Sequence, residues 1–180
     1  MLPFDPLLLI PVLLLAAGLA VLAGWRWRQS RRHLRDFPYQ RRPSLLTAGE
    51  LRFMRVLEKA VAGRWHIHVQ VRLADLLQVQ GSVAPRWRMT AQNRINSKHV
   101  DFVLCEPGSL AILCAIELDD RSHQLPSRQA RDAFVNEAFR VAGLPLLRVP
   151  VKRNYNTAAL TQQIEEAVRA STQPRRTADG

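Results

Sequence analysis

The chain begins with a block that has no polar rhythm, then changes to two others, one helical and one alternating. Pro6 to Trp25 contains no charged residue and is mostly Leu, Ala and Val. A block of that length reaches across a hydrocarbon core of ~30 Å, and Pro11 falls near its start, where a distortion is tolerated. From Thr47 the period becomes helical. Thr47 and Glu50 have capping-box spacing, and Leu51, Met54, Leu57 and Val61 follow at helical intervals, widened by Phe53 and Val56, up to Gly63. His66 to Val71 alternates as a strand with His66 and His68 together on an exposed face. Ala74 to Val79 is a short amphipathic segment, and Pro85 to Lys98 is a polar helical one.

Next comes the stretch around which the rest is arranged, Val100 to His123. Two apolar runs flank Glu106-Pro107-Gly108-Ser109, a turn-forming cluster, and predict a hairpin. Beyond it, Ser127 is placed to cap a helix running to about Ala142. Its stripe is Phe134, Ala138 and Val141, with Ala130 at the start and Gly143 and Pro145 at the end. Leu146 to Val151 reads as a buried strand with Arg148 inside it. Thr157 to Ala170 is a last amphipathic helix on Leu160, Ile164, Ala167 and Val168. Thr172 to Gly180 is a basic tail.

Strand alternation sorts the hairpin side chains. Val100, Phe102 and Leu104 take one face and His99, Asp101 and Val103 the other. In the second run Glu117 and Asp119 oppose Ile116 and Leu118. A hairpin centred near Ser109 sets Asp101 opposite, or nearly opposite, Glu117, with His123 just past the strand end. Carboxylates inside apolar strands are costly unless paired or bound to a cation. A hard divalent ion such as Mg²⁺ or Mn²⁺ suits three converging carboxylates, and the chemistry that follows is metal-assisted phosphodiester hydrolysis. The alternative is a hairpin whose acids pair with Arg121, Arg131 or Lys98. Glu50 is a further candidate for the site, although capping accounts for it.

Charge sharpens the outline. The 180 residues carry a formal net charge of +11. Trp25 to Pro43 alone holds seven arginines and one aspartate. Arginines directly after an apolar span favour a cytoplasmic C-terminal side, with Trp25 and Trp27 in the interface belt. A cleaved signal peptide would want basic residues ahead of the span, where the sequence has Asp5 and no Lys or Arg. The expected organisation is a transmembrane anchor over 1–25, a basic linker over 26–45, a folded domain over 46–172 and a disordered tail over 173–180. The expected location is the inner membrane, with a single pass and the domain in the cytoplasm. The arginine cluster either touches anionic headgroups or serves topology alone.

Pro85 to Lys98 supports two readings. Arg86, Arg88, Arg94 and Lys98 beside Trp87 can grip a phosphate backbone and stack a base. Equally, the segment is a polar helix whose Trp87 packs onto the sheet. Cys105 and Cys114 are too few for a structural zinc site and read as small buried residues in a reducing compartment.

The order helix, strand, helical insert, hairpin, helix, strand, helix resembles the restriction-endonuclease-like core of the PD-(D/E)XK nucleases. It is similar in particular to small members built like the very-short-patch repair endonuclease. The matching residues are Val100-Asp101-Phe102, Ile116-Glu117-Leu118-Asp119, His123, Arg131-Asp132, Gly143 and Leu147-Arg148. Leu46 to Val151 also resembles a bacterial domain-of-unknown-function family often found behind a membrane helix. The resemblance implies an α/β fold, a mixed sheet flanked by helices, behind a single transmembrane helix. It implies Asp101, Glu117 and Asp119 as metal ligands, with these three and His123 as the catalytic set. Arg86, Arg88, Arg94, Lys98 and Arg131 are the expected nucleic-acid contacts. Asp119 stands where such motifs usually carry a lysine, and Lys98 or Arg131 is the expected substitute for that charge. The expected function is a membrane-tethered, metal-dependent nuclease on DNA or RNA. The alternative is an inactive nuclease-fold module that binds nucleic acid or a protein partner, and nothing in the sequence identifies such a protein.

Overall fold

The computed structural model describes residues 9–35, 37, 39–119 and 126–172, with the side chains of 9, 29–35 and 126–128 left aside. Its contacts divide the chain after Pro43. The first unit holds one helix, α1 (Leu9–Arg35). Ile10–Arg28 within it is long and apolar enough to cross a membrane, judged by length and composition. The helix continues through the arginine cluster, so the first ten residues of the expected linker, 26–35, extend α1.

The second unit runs α2 (Ala48–Val61), β1 (His66–Arg72), α3 (Leu73–Leu76), α4 (Pro85–Asn96), β2 (His99–Cys105), β3 (Ile112–Asp119), α5 (Pro126–Ala142), β4 (Leu146–Pro150) and α6 (Thr157–Thr172). The four strands lie in the order β1-β2-β3-β4. The first two pairs are antiparallel, and β3 pairs with β4 in parallel across α5. This is an α/β domain with a mixed sheet between helices.

Both faces of the sheet are covered, which is why β2 and β3 read as nearly continuous apolar runs. On one side Phe53, Leu57, Leu160 and Ile164 from α2 and α6 pack on Phe102, Leu104, Cys114 and Ile116. Phe53 stands at the centre, its ring 5.4 Å from Phe102 and 5.1 Å from Tyr155. On the other side Leu73, Ile95, Val135 and Phe139 pack on Val103, Cys105 and Ala115. The cysteines are both free and buried, and they sit in opposite clusters although their strands are neighbours. Burial pushes the Cys114 thiol up to about 12.

Two expectations need correction. Val100 packs with Val103 rather than with Phe102. The β1–β2 ladder pairs Val69 with Phe102 and Val71 with Val100, and skips the step between them. At that step Gln70 has φ +53°, which a non-glycine strand residue rarely adopts. Such an irregularity re-aims the side chains beside it. The α5 stripe is also rotated: Val135 and Phe139 are fully buried, whereas Val141 is 47% exposed and Ala130 is exposed. The Ser127 side chain and the 173–180 tail lie outside what is described.

Candidate active site

Three local features bring the acids to one end of the sheet. The hairpin pairs Phe102 with Ile116 and Val103 with Ala115, so one further step sets Asp101 across from Glu117. The parallel pairing then sets Glu117 beside Arg148 and Asp119 beside Pro150. The capping box of α2 adds Glu50. Its Oε2 accepts the Thr47 N–H at 2.7 Å, the Thr47 hydroxyl accepts the Glu50 N–H, and Oε1 accepts from Gln70 Nε2 at 3.3 Å. Thus Glu50 both caps and lines the site.

Between these elements lies a cavity of about 550 Å³. The start of α2 gives Thr47, Gly49, Glu50 and Arg52. The hairpin gives His99, Asp101, Glu117, Leu118 and Asp119. Arg131 and Asp132 come from α5, and Val151 follows β4. Glu117 is the one buried charged side chain among the described residues, at 9% exposure. Burial pushes the Glu117 carboxyl up; Arg148 opposes that shift and Asp101 adds to it. Burial also raises Asp101, opposed by the Leu118 N–H that Oδ2 accepts at 2.8 Å and reinforced by Glu50. Desolvation in a partly dry cavity is the main cause of both shifts, and repulsion from the neighbouring carboxylates adds to it.

Arg148 reaches into this cluster from β4. Its Nε donates to Asn136 Oδ1 at 2.8 Å and its Nη1 to Asp119 Oδ1 at 2.6 Å. Nη2 lies 3.1 Å from Glu117 Oε2 and 3.8 Å from Asp132 Oδ1. That nitrogen is buried, yet neither approach has hydrogen-bond geometry, so it makes no hydrogen bond. Among the described residues the acids pair with Arg148, and no ion pair joins them to the expected Arg131 or Lys98. Arg121 and His123 lie outside the described residues.

The donor set is chemically suited to a hard cation, being all carboxylate oxygen. In this arrangement, however, no group of three His, Cys, Asp or Glu among the described residues stands close enough to hold an ion. Asp101 is held by a backbone N–H, and Asp119 and Glu117 by Arg148. Asp101, Glu117 and Asp119 line the cavity but do not form a finished metal site.

The expected nucleic-acid contacts divide. Arg131 lines the cavity. Arg94 and Lys98 lie over the Phe134 ring at 4.2 and 5.0 Å, and Lys98 Nζ also donates to the Arg94 carbonyl; Lys98 is not among the residues that line the cavity. Arg88 donates to the Gly81 and Val83 carbonyls, and Arg86 lies over Trp87. Trp87 is 57% exposed and does not pack on the sheet. The first six residues of α4 are all exposed.

Sequence reasoning passed over Arg148 as a site residue and underrated Glu50. The available signal for Arg148 was a charged residue inside an apolar run next to an acidic strand. No curated protein and no solved structure matches the chain. A family model described as "Protein of unknown function (DUF2726)" matches residues 42–168, which takes in all of the sheet and the cavity. Over that span, more than half its length, the chain belongs to the DUF2726 family.

Proposed function

We propose that the domain is a metal-dependent phosphodiesterase acting on nucleic acid, built on a restriction-endonuclease-like core. In this reading α1 anchors it in the inner membrane and the domain faces the cytoplasm. The observation that carries the activity is the cross-strand placement of Asp101 and Glu117, with Asp119 beside them, at one cavity that also holds Arg52 and Arg131.

Asp101, Glu117 and Asp119 would hold Mg²⁺ or Mn²⁺, which when bound supplies a nucleophilic water and neutralises charge on the phosphate. The protein supplies the rest. Arg131, exposed at the cavity edge, offers a guanidinium to a backbone phosphate. The exposed turn of α4 extends the contact, with Trp87 available for stacking. His123 is the proposed base, since imidazole takes a proton near neutral pH.

The test is cleavage. The full chain in detergent micelles, with Mg²⁺ or Mn²⁺, is incubated with single- and double-stranded DNA and RNA. Cleavage is expected, and Asp101→Ala or Glu117→Ala should abolish it; cleavage persisting unchanged in both variants rejects the site. A second reading is an inactive module that binds nucleic acid. It is favoured by Asp119 at the usual lysine position and by the Arg148 contacts to Glu117 and Asp119. It predicts salt-dependent binding without cleavage.

A further inference from the structure

Helix α1 does not stop where its apolar span does. The span, Ile10–Arg28, is about 28 Å long at the α-helical rise, and the helix runs on to Arg35. A linker without regular structure would scatter the arginines that follow. The helical repeat instead sets positions 28, 31, 32 and 35 on one side, within an arc of about 100°. All four are arginine. Position 26, where α1 has its remaining arginine, falls on the opposite side. The stripe is about 10 Å long. It begins at the edge of the hydrocarbon core and runs through a headgroup layer of about 5–7 Å.

Like charges at these spacings destabilise a helix. Neighbours along the stripe are arginine on arginine, three or four residues apart, and α1 contains no Asp or Glu. Elsewhere the chain answers an arginine at such a spacing with an acid, as in Arg72–Asp75 and Glu137–Arg140. The anions that offset the stripe therefore come from outside α1, and at this depth they are lipid phosphates. Topology alone asks for positive charge and is indifferent to its side of the helix. We propose that Arg28, Arg31, Arg32 and Arg35 form a docking stripe for anionic phospholipid headgroups in the leaflet at the C-terminal end of α1. Guanidinium groups on successive turns share a phosphate there. This rests on the membrane-anchor reading and not on the phosphodiesterase one.

The test separates the side of the helix from the amount of charge. The full chain is reconstituted in phosphatidylcholine vesicles with a rising share of brominated phosphatidylglycerol. Quenching of tryptophan fluorescence then reads the preference for the anionic lipid, and Trp25 and Trp27 stand at the end of the span to report it. Arg31→Gln should lower that preference about fivefold, the worth of one arginine near a charged surface. Arg26→Gln, off the stripe, should change it by less than about twofold. A rotated variant combines Ser30→Arg with Arg31→Gln and Leu34→Arg with Arg35→Gln. It keeps the net charge and nearly the depth but moves two arginines to the side of Arg26. Its preference should fall at least about fivefold, whereas diffuse charge would leave it unchanged.

Circular dichroism verifies the helix in each variant, and Gln is a good helix former. A helical rotated variant with the wild-type preference overturns the stripe. So does one that keeps the preference and loses binding of a DNA or RNA oligonucleotide, which makes nucleic acid the occupant. Extraction of the vesicles at alkaline pH tests the anchor separately. If wild type is released, the anchor reading and the stripe fall together. If it is retained without preferring the anionic lipid, only the stripe falls.

Discussion

Asp101 accepts the backbone N–H of Leu118 across the hairpin, Oδ2 to N at 2.8 Å. The bond holds the carboxylate at the cavity wall, between Glu50 on α2 and Glu117 on β3. It opposes, without cancelling, the upward shift that burial gives Asp101. The sign of the consequence follows from linkage. A carboxyl raised in the folded state stabilises the fold fully below its unfolded value, near pH 4. That contribution is lost as pH rises through the folded value. At pH 7.5, well above the unfolded values, the upward shifts of Asp101 and Glu117 therefore weaken the domain relative to acid pH. Asp101→Asn keeps an acceptor for Leu118 and removes the charge. It should melt higher than wild type at pH 7.5, with the gap closing as pH falls towards 4, and should lose the stabilisation that Mn²⁺ gives wild type. Thermal melting with and without Mn²⁺ checks this; a lower melting point for Asp101→Asn at pH 7.5 contradicts it.

The helix stripe that the sequence misplaced gives a test of the core. Val135 and Phe139 are buried while Val141 stands 47% exposed. Phe139→Ala should cost about 3–5 kcal/mol, as a large side chain removed from a packed site does. Val141→Ala should stay within about 0.5 kcal/mol. Urea unfolding of the two variants compares them directly.

What the sequence disclosed and what it withheld divide by range. The hairpin register was readable because a four-residue turn cluster between two apolar runs fixes it locally. Thr47 and Glu50 were readable as a cap for the same reason. The α5 stripe was not, because Phe134-Ala138-Val141 and Val135-Phe139 both satisfy helical spacing and only the sheet decides between them. The change of side at Val100 falls where the β1–β2 ladder skips the step from Gln70, whose φ is positive, and no residue pattern announces it. Arg148 was the largest omission. Its place beside Glu117 depends on a parallel pairing reached across a whole helix, and parallel register has no turn to set it.

The projecting half of α4 separates charge from stacking. Arg86 and Trp87 are exposed and neither belongs to a core cluster. Arg86→Ala should leave stability within about 0.5 kcal/mol. For duplex DNA, if it touches one phosphate, it should reduce the slope of log affinity against log salt by about 0.9. Trp87→Ala should leave the slope unchanged and weaken single-strand binding by about 1–3 kcal/mol. Fluorescence anisotropy across a salt series reads both quantities. Equal slopes for wild type and Arg86→Ala would remove α4 charge from the interface.

Glu50 has two jobs that two substitutions can separate. Thr47→Ala deletes the hydroxyl that accepts the Glu50 N–H but leaves the Thr47 N–H to Glu50 Oε2 bond possible. It should cost about 1 kcal/mol, the ordinary loss for a cap, and leave the cavity charge unchanged. Glu50→Gln retains an oxygen for the position 47 N–H and removes a negative charge that now helps to raise Asp101. It should therefore lower the Asp101 pKa, measurable by carbon-detected NMR titration of the carboxyl. With less repulsion to relieve and one fewer oxygen anion, it should also weaken Mn²⁺ binding. The pairing of those two effects is diagnostic. A residue that only caps α2 would shift the melting point in both variants and move neither the Asp101 titration nor the metal affinity.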